Sequence, residues 1–272
     1  DAEVAAEEAE VAAKSSAELA ASLLESSERL AVLARTLQQS LLPPHLPRVP
    51  GVQVAAYFVP AASGEEVVGD FYDVFEGRRG AWCVLLGDVA GKGPEAATLT
   101  AMARYTLRAA AARSVQPRKI LAALNAAMLH QRPDDDRFLT VAFATLRRIG
   151  ERLVLSVCSA GHPPPLVRRA DGEVELACPP GMPMGMFERP TLVEAKVELG
   201  PGDAVVFYSD GVTEARRGSD ELGMERLRDL VRDAPATDAA GLVTYIETEV
   251  AAFTEGLPRD DTAVLVLRVP LL

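Results

Sequence analysis

From Val52 onward, apolar runs of strand length follow one another with few helices between them, and no other feature constrains the fold of this chain as tightly. The runs span 52–58, 67–75, 81–87, 138–147, 152–159, 203–208 and 262–269. Two helical stretches, 94–113 and 117–131, are inserted together, and two more, about 223–232 and 238–253, come late. A sheet of parallel strands needs a long crossover between successive strands. Strands and helices that arrive in pairs instead predict an α+β layered fold on largely antiparallel sheet. The segment 179–190, with four prolines, two glycines and three methionines, reads as an irregular loop.

Ahead of that domain, residues 1 to about 42 are rich in Ala, Glu and Leu, contain no Pro or Gly, and read as helix. Leu23, Leu30 and Leu37 fall seven apart, with Leu19, Leu33 and Leu41 four residues from members of that series. The spacing leaves two readings open: a short coiled-coil seam, or an amphipathic helix lying on its own domain. Pro43 and Pro44 stop the helix. The expected division is therefore a helical linker over 1–42 and a single domain over 43–272, and 272 residues at 49% hydrophobic suffice for one large core with an appendage. The chain starts at Asp1 without a methionine, which fits a piece of a longer protein with a sensor upstream.

A net charge of −11 argues against a nucleic-acid or anionic-membrane partner. No apolar run approaches the roughly 18 residues of a membrane span, and no signal peptide is visible. Cys83, Cys158 and Cys178 include no CxxC pair, so free buried thiols in a reducing cytoplasm are expected.

The stretch WCVLLGDVAGKGPEAA (82–97) runs from an apolar strand through a glycine-rich turn into a helix. It resembles a phosphate cradle only superficially. A P-loop has four residues between its first glycine and the Gly-Lys pair, followed by Ser or Thr. Here three residues separate Gly87 from Gly91-Lys92, and Gly93 stands at the hydroxyl position. Asp88 would also repel a phosphate unless a cation lay between them. Other strand ends carry carboxylates too. If 67–75 and 81–89 form a hairpin centred near Arg78, position 70 lies opposite 86, and Asp88 is diagonal to Asp70 on the same face. The strand DAVVFYSDG (203–211) ends in Asp210, and RDDTAVLVLRV (259–269) places Asp260 and Asp261 just before another strand. In an antiparallel sheet the exit of one strand and the start of its neighbour share a rim. Four aspartates there would raise one another's pKa unless hard divalent ions, Mg²⁺ or Mn²⁺, neutralised them. Each aspartate alone is ordinary turn chemistry; the set of four at strand ends is not.

GDFYD, LGDVAGKG, SAGHPPPL (159–166), YSDGVTEAR and DDTAVLVL, in this order, resemble the metal-dependent PPM-type serine/threonine phosphatases of the SpoIIE/RsbU branch. The likeness covers about residues 35–269 and includes LQQSLLPP. It implies a four-layer αββα sandwich of mainly antiparallel sheets flanked by helices, and two ions, Mn²⁺ or Mg²⁺. By resemblance, Asp88 bridges the ions and Val89 offers its carbonyl to the second. Asp210 and Asp260 hold the first, and Asp70 completes the coordination of the second ion directly or through water. Asp88 and Asp210 are thus the catalytic pair. Asp261 is the other candidate beside Asp260, and sequence does not separate them. The chain departs from the family pattern at Val68, where a second glycine is common, and at Ala90, where eukaryotic relatives carry a histidine. No general acid or phosphate-binding arginine is assigned; His162 reads as structural and Lys92 as a solvated loop residue.

The resemblance implies hydrolysis of phosphoserine or phosphothreonine by water activated between two ions. Its substrate would be a phosphorylated STAS-domain anti-anti-sigma protein, in a partner-switching pathway of stress or development. A homodimer through the N-terminal helix would fit such a protein. Two competing readings are a catalytically silent module that binds the phosphorylated partner, and a nucleotidyl transferase. Retention of all four aspartates speaks against the first, and the lack of a triphosphate cradle against the second.

Overall fold

Hairpin pairing begins at the polar turn EGRRG. The computed structural model describes residues 42–60, 69–131, 137–235, 238–254 and 260–271, together with positions 14, 22 and 24–26. In it, Arg78–Gly80 form one turn of 3₁₀ helix, with Arg79 at φ 57° and Gly80 at φ 68°. The turn joins strands β2 (Phe71–Glu76) and β3 (Trp82–Val89), and β3 is flanked in turn by β4 (Leu139–Ile149). With β5 (Arg152–Ala160) and β8 (Glu194–Leu199) these make a five-stranded antiparallel sheet, ordered β2-β3-β4-β5-β8. The second sheet is also five-stranded and antiparallel. It contains β1 (Gln53–Val59), β12 (Thr262–Arg268), β9 (Ala204–Tyr208), β6 (Leu166–Arg168) and β7 (Val174–Leu176), in that order. A two-stranded ribbon, β10 (Arg216–Arg217) and β11 (Asp220–Glu221), stands apart.

The sheets pack face to face. Val84, Leu86, Ala144 and Leu155 of one meet Val205, Phe207, Leu265 and Leu267 of the other in a single buried cluster. Helices cover both outer faces. Pro94 and Pro117 open α1 (Pro94–Ala111) and α2 (Pro117–Gln131), where a missing N–H costs nothing. In α1, Ala96, Leu99, Ala103 and Leu107 recur every three or four residues and pack on Phe71, Leu85 and Phe143. Full burial of Leu99 or Leu107 contributes about 1.5–3 kcal/mol each. A four-residue helix, α3 (Asp210–Thr213), follows β9; α4 (Gly223–Asp233) and α5 (Ala239–Thr254) cover the second sheet through Leu227, Val231, Leu242 and Ile246. The order of layers is helix, sheet, sheet, helix, the αββα arrangement expected.

Three differences from the sequence reading have physical causes. The hairpin is centred on Arg79, since that residue takes the left-handed conformation, and Phe71 therefore faces Gly87. Moving the centre by one residue moves the register by two, so side chains keep their faces. Strands β6, β7 and β8 lack apolar runs: two are three residues long, and β8 (EAKVEL) alternates exposed and buried positions along an edge. The 179–190 loop is irregular but anchored, because Met184 exchanges both backbone hydrogen bonds with Leu139. The helix expected over 1–42 and its leucine series lie almost wholly outside the described residues, as do Val67 and Val68.

Candidate metal and phosphoryl site

Beyond the end of the β2-β3 ladder, the Val89 N–H donates to the Gly69 carbonyl at 3.2 Å. Asp70 thus stands opposite Asp88 rather than diagonal to it, on the same face of the sheet. Gly69 is required by this approach. A Cβ there would lie 2.2 Å from Asp88 Oδ1 and 2.3 Å from the Val89 carbonyl oxygen. The two oxygens assigned to Asp88 and Val89 therefore point to one side, into space that a side chain at 69 would fill.

The second sheet brings its aspartates to the same rim. Ser209 directly follows β9, and its buried hydroxyl accepts from the Ala263 N–H at 2.9 Å and donates to the Asp261 carbonyl at 3.2 Å. Those bonds fix the start of β12 beside the end of β9, and with them Asp210 beside Asp260 and Asp261. Gly211 closes the junction: a Cβ there would sit 1.9 Å from the Asp261 oxygen. Asp260 is exposed and its Oδ1 accepts from the Asp261 N–H at 2.9 Å, whereas the Asp261 side chain is buried.

Electrostatics tie the two sheets together. Burial raises Asp70 well above the ordinary carboxylate range, and the Asp88, Asp261 and Asp210 carboxylates raise it further against the Ser209 hydroxyl. Burial likewise pushes Asp88 up to about 7, reinforced by Asp210, Asp260 and Asp261. Asp210 is raised by burial and then by Asp260. Asp70 Oδ2 is buried without a hydrogen-bond partner. A cluster of this kind holds protons or cations at neutral pH. Its all-oxygen donors suit Mg²⁺ or Mn²⁺ and not zinc. Among the described residues, however, no three His, Cys, Asp or Glu groups close to the spacing of a preformed ion cage. Unneutralised carboxylates repel, and Asp260 follows residues 255–259, which lie outside the described set.

The neighbours are also informative. Thr140, opposite Asp88 in β4, bonds His162 Nδ1 at 2.9 Å, and burial holds that imidazole down to about 3, hence neutral. Lys92 is exposed. Two features escaped sequence reasoning. Ser209 was read only as part of a strand end, although a hydroxyl directly before Asp-Gly was the available signal. Asp73, fully buried on the opposite face of β2 from Asp70, accepts from Arg104 Nε at 2.8 Å and from Arg108 Nε and Nη2 at 2.7 and 2.8 Å. This clamp ties β2 to α1, and no local motif announces it.

Comparison with known proteins agrees with this architecture. The family model for stage II sporulation protein E (SpoIIE) matches residues 78–270, a span that includes Asp88, Asp210 and Asp260 and begins after Asp70. Phosphoserine phosphatase RsbU of Bacillus subtilis is 26% identical over 237 residues, covering 87% of this chain and 69% of RsbU. Among solved structures, the SiaA-PP2C domain of Pseudomonas aeruginosa superposes with a TM-score of 0.75 at 22% identity, over 92% of this chain and 99% of that one. RsbX in complex with magnesium superposes with a TM-score of 0.62 at 16% identity, covering 83% and 98%.

Proposed function

Since the chain belongs to the SpoIIE family of PP2C-type serine/threonine phosphatases, we propose that it removes phosphate from a phosphoserine or phosphothreonine of an STAS-type anti-anti-sigma protein, in a partner-switching pathway, with two Mg²⁺ or Mn²⁺ ions. The observation that carries the reading is that Asp70, Asp88 and Asp210 stand at one rim where two sheets meet, each raised by burial and then by neighbouring carboxylates. Asp88 and the Val89 carbonyl would bridge and complete the ion pair, with Asp210 and Asp260 on the first ion and Asp70 on the second.

When bound, the ions supply a water nucleophile of lowered pKa and neutralise charge on the phosphoryl oxygens. The chain's own residues prepare that event. Gly69 lets β2 approach until the Asp88 and Val89 oxygens share one space, and Ser209 locks the two strand ends of the second sheet. Burial and the neighbouring carboxylates make Asp70 and Asp88 hold a proton more tightly than an ordinary carboxyl does, so a bound cation would displace protons there. No Ser or Cys nucleophile is needed, so Ser209 serves as a strut. The magnesium of RsbX supports the choice of a hard cation. The name of RsbU, a phosphoserine phosphatase, supports the class of substrate. A homodimer through the leucine series of residues 19–41, an upstream sensor and a reducing cytoplasm complete the proposal. The last accords with Cys83, Cys158 and Cys178, which are free and buried. Among the described residues no helix is long and apolar enough to cross a membrane. Incubation with a phosphorylated STAS-domain protein in Mn²⁺ should release inorganic phosphate; retention of all the phosphate would refute the assignment.

A further inference from the structure

The loop at 181–192 runs from the candidate site to a groove that the phosphatase chemistry does not use. Met184 pairs with Leu139, which pairs with Val89, so the loop begins two strand spacings, about 10 Å, from the aspartates. It is held in place at several points. Buried Asn125 of α2 donates through Nδ2 to the Phe187 carbonyl at 2.9 Å, and its Oδ1 accepts from the Gly185 N–H at 2.8 Å. Met182 N–H bonds the Thr191 carbonyl at 3.2 Å. On this fixed loop Met186 and Phe187 form an adjacent apolar pair, 51% and 41% exposed.

Beside them, α2 and residues 188–192 enclose a groove of about 490 Å³. Arg118, Lys119 and Arg189 line it together with Glu188, and the Glu194 carboxylate beside it accepts from the Arg118 backbone N–H at 3.2 Å. All three cations are exposed. None takes part in an ion pair among the described residues. In a chain of net charge −11, an unpaired basic groove is a local reversal of sign. Such a reversal attracts an acidic partner.

We propose that this groove, with Met186 and Phe187 at its edge, is a docking surface for an acidic segment flanking the phosphorylated residue of the protein substrate. The inference rests on the phosphatase reading. The groove lies away from the reacting atoms, so it sets KM for protein substrates and leaves small phosphate esters unaffected. Two phosphoserine peptides of equal length, one flanked by glutamates and one by serines, test this alongside an aryl phosphate. The wild-type protein should prefer the glutamate-flanked peptide by about fivefold to tenfold in kcat/KM, the scale of two or three exposed charge pairs. The double variant Arg118→Glu, Lys119→Glu, altering two exposed residues, should lose that preference and keep its aryl phosphate turnover. Equal use of both peptides by an enzyme active on aryl phosphate would overturn the groove alone. Loss of aryl phosphate turnover in the variant would overturn it too, by showing an effect on the site itself. Retention on phosphatidylserine vesicles without flank preference would overturn it in favour of a membrane surface. A wild-type protein inert towards aryl phosphate would overturn the phosphatase reading and the groove with it.

Discussion

At the scale of single residues, Asp88 concentrates the account. Its carboxyl, pushed up to about 7 by burial and by Asp210, Asp260 and Asp261, stands above the value near 3.9 of an unfolded chain. A folded state that resists losing this proton is destabilised relative to the unfolded chain above about pH 4, and fully so above about pH 7. Asp88→Asn removes the penalty. The variant without metal should therefore melt higher than wild type at pH 8, with the gain shrinking towards pH 4, as thermal scans across that range would register. Hydrolysis should nevertheless fall by at least about a hundredfold, the order of loss seen even for outer-shell metal partners. Near-normal turnover would make Asp88 a turn residue. The aspartates were legible as a set, because four carboxylates at the ends of apolar strands exceed what turn chemistry explains. The choice between Asp260 and Asp261 was not, since neighbours in sequence differ here only in burial.

At the scale of elements, the hairpin shows how a sequence argument can be right about faces and wrong about partners. Parity along β2 and β3 is set by the alternation of side chains, so Asp70 and Asp88 had to share a side. Their direct opposition depends on which turn residue accepts positive φ, and Arg79 is not an obvious one. Long apolar runs and proline-headed helices were equally plain, whereas β8 was hidden by its edge position. The Asp73 clamp was hidden for another reason: its partners are 31 and 35 residues away. Removing one member of a buried ion pair strands the others. Asp73→Ala should cost about 3 kcal/mol in denaturant unfolding, near the lower end for such losses because Arg108 can turn to solvent. A cost under about 1 kcal/mol, the value of an exposed pair, would mean that the clamp is ornamental.

At the scale of the whole molecule, two sheets pressed together by outer helices bring carboxylates from positions 70, 88, 210 and 260 to one rim. The layered class could be read from the pairing of strands and helices, but the order of strands within each sheet could not, since distant segments such as β1 and β12 meet only in the fold. The leucine series ahead of Pro43 belongs to this scale as well. If it pairs two copies, replacing Leu30 and Leu37 with Ser should shift sedimentation towards monomer and alter turnover or metal affinity, while unchanged values for both would make the segment a passive tether. The central claim, that clustered aspartates work through divalent ions, is tested most directly by aryl phosphate hydrolysis before and after chelation. The account predicts loss of turnover in excess chelator and its return on adding Mn²⁺ or Mg²⁺; full turnover in chelator would contradict it.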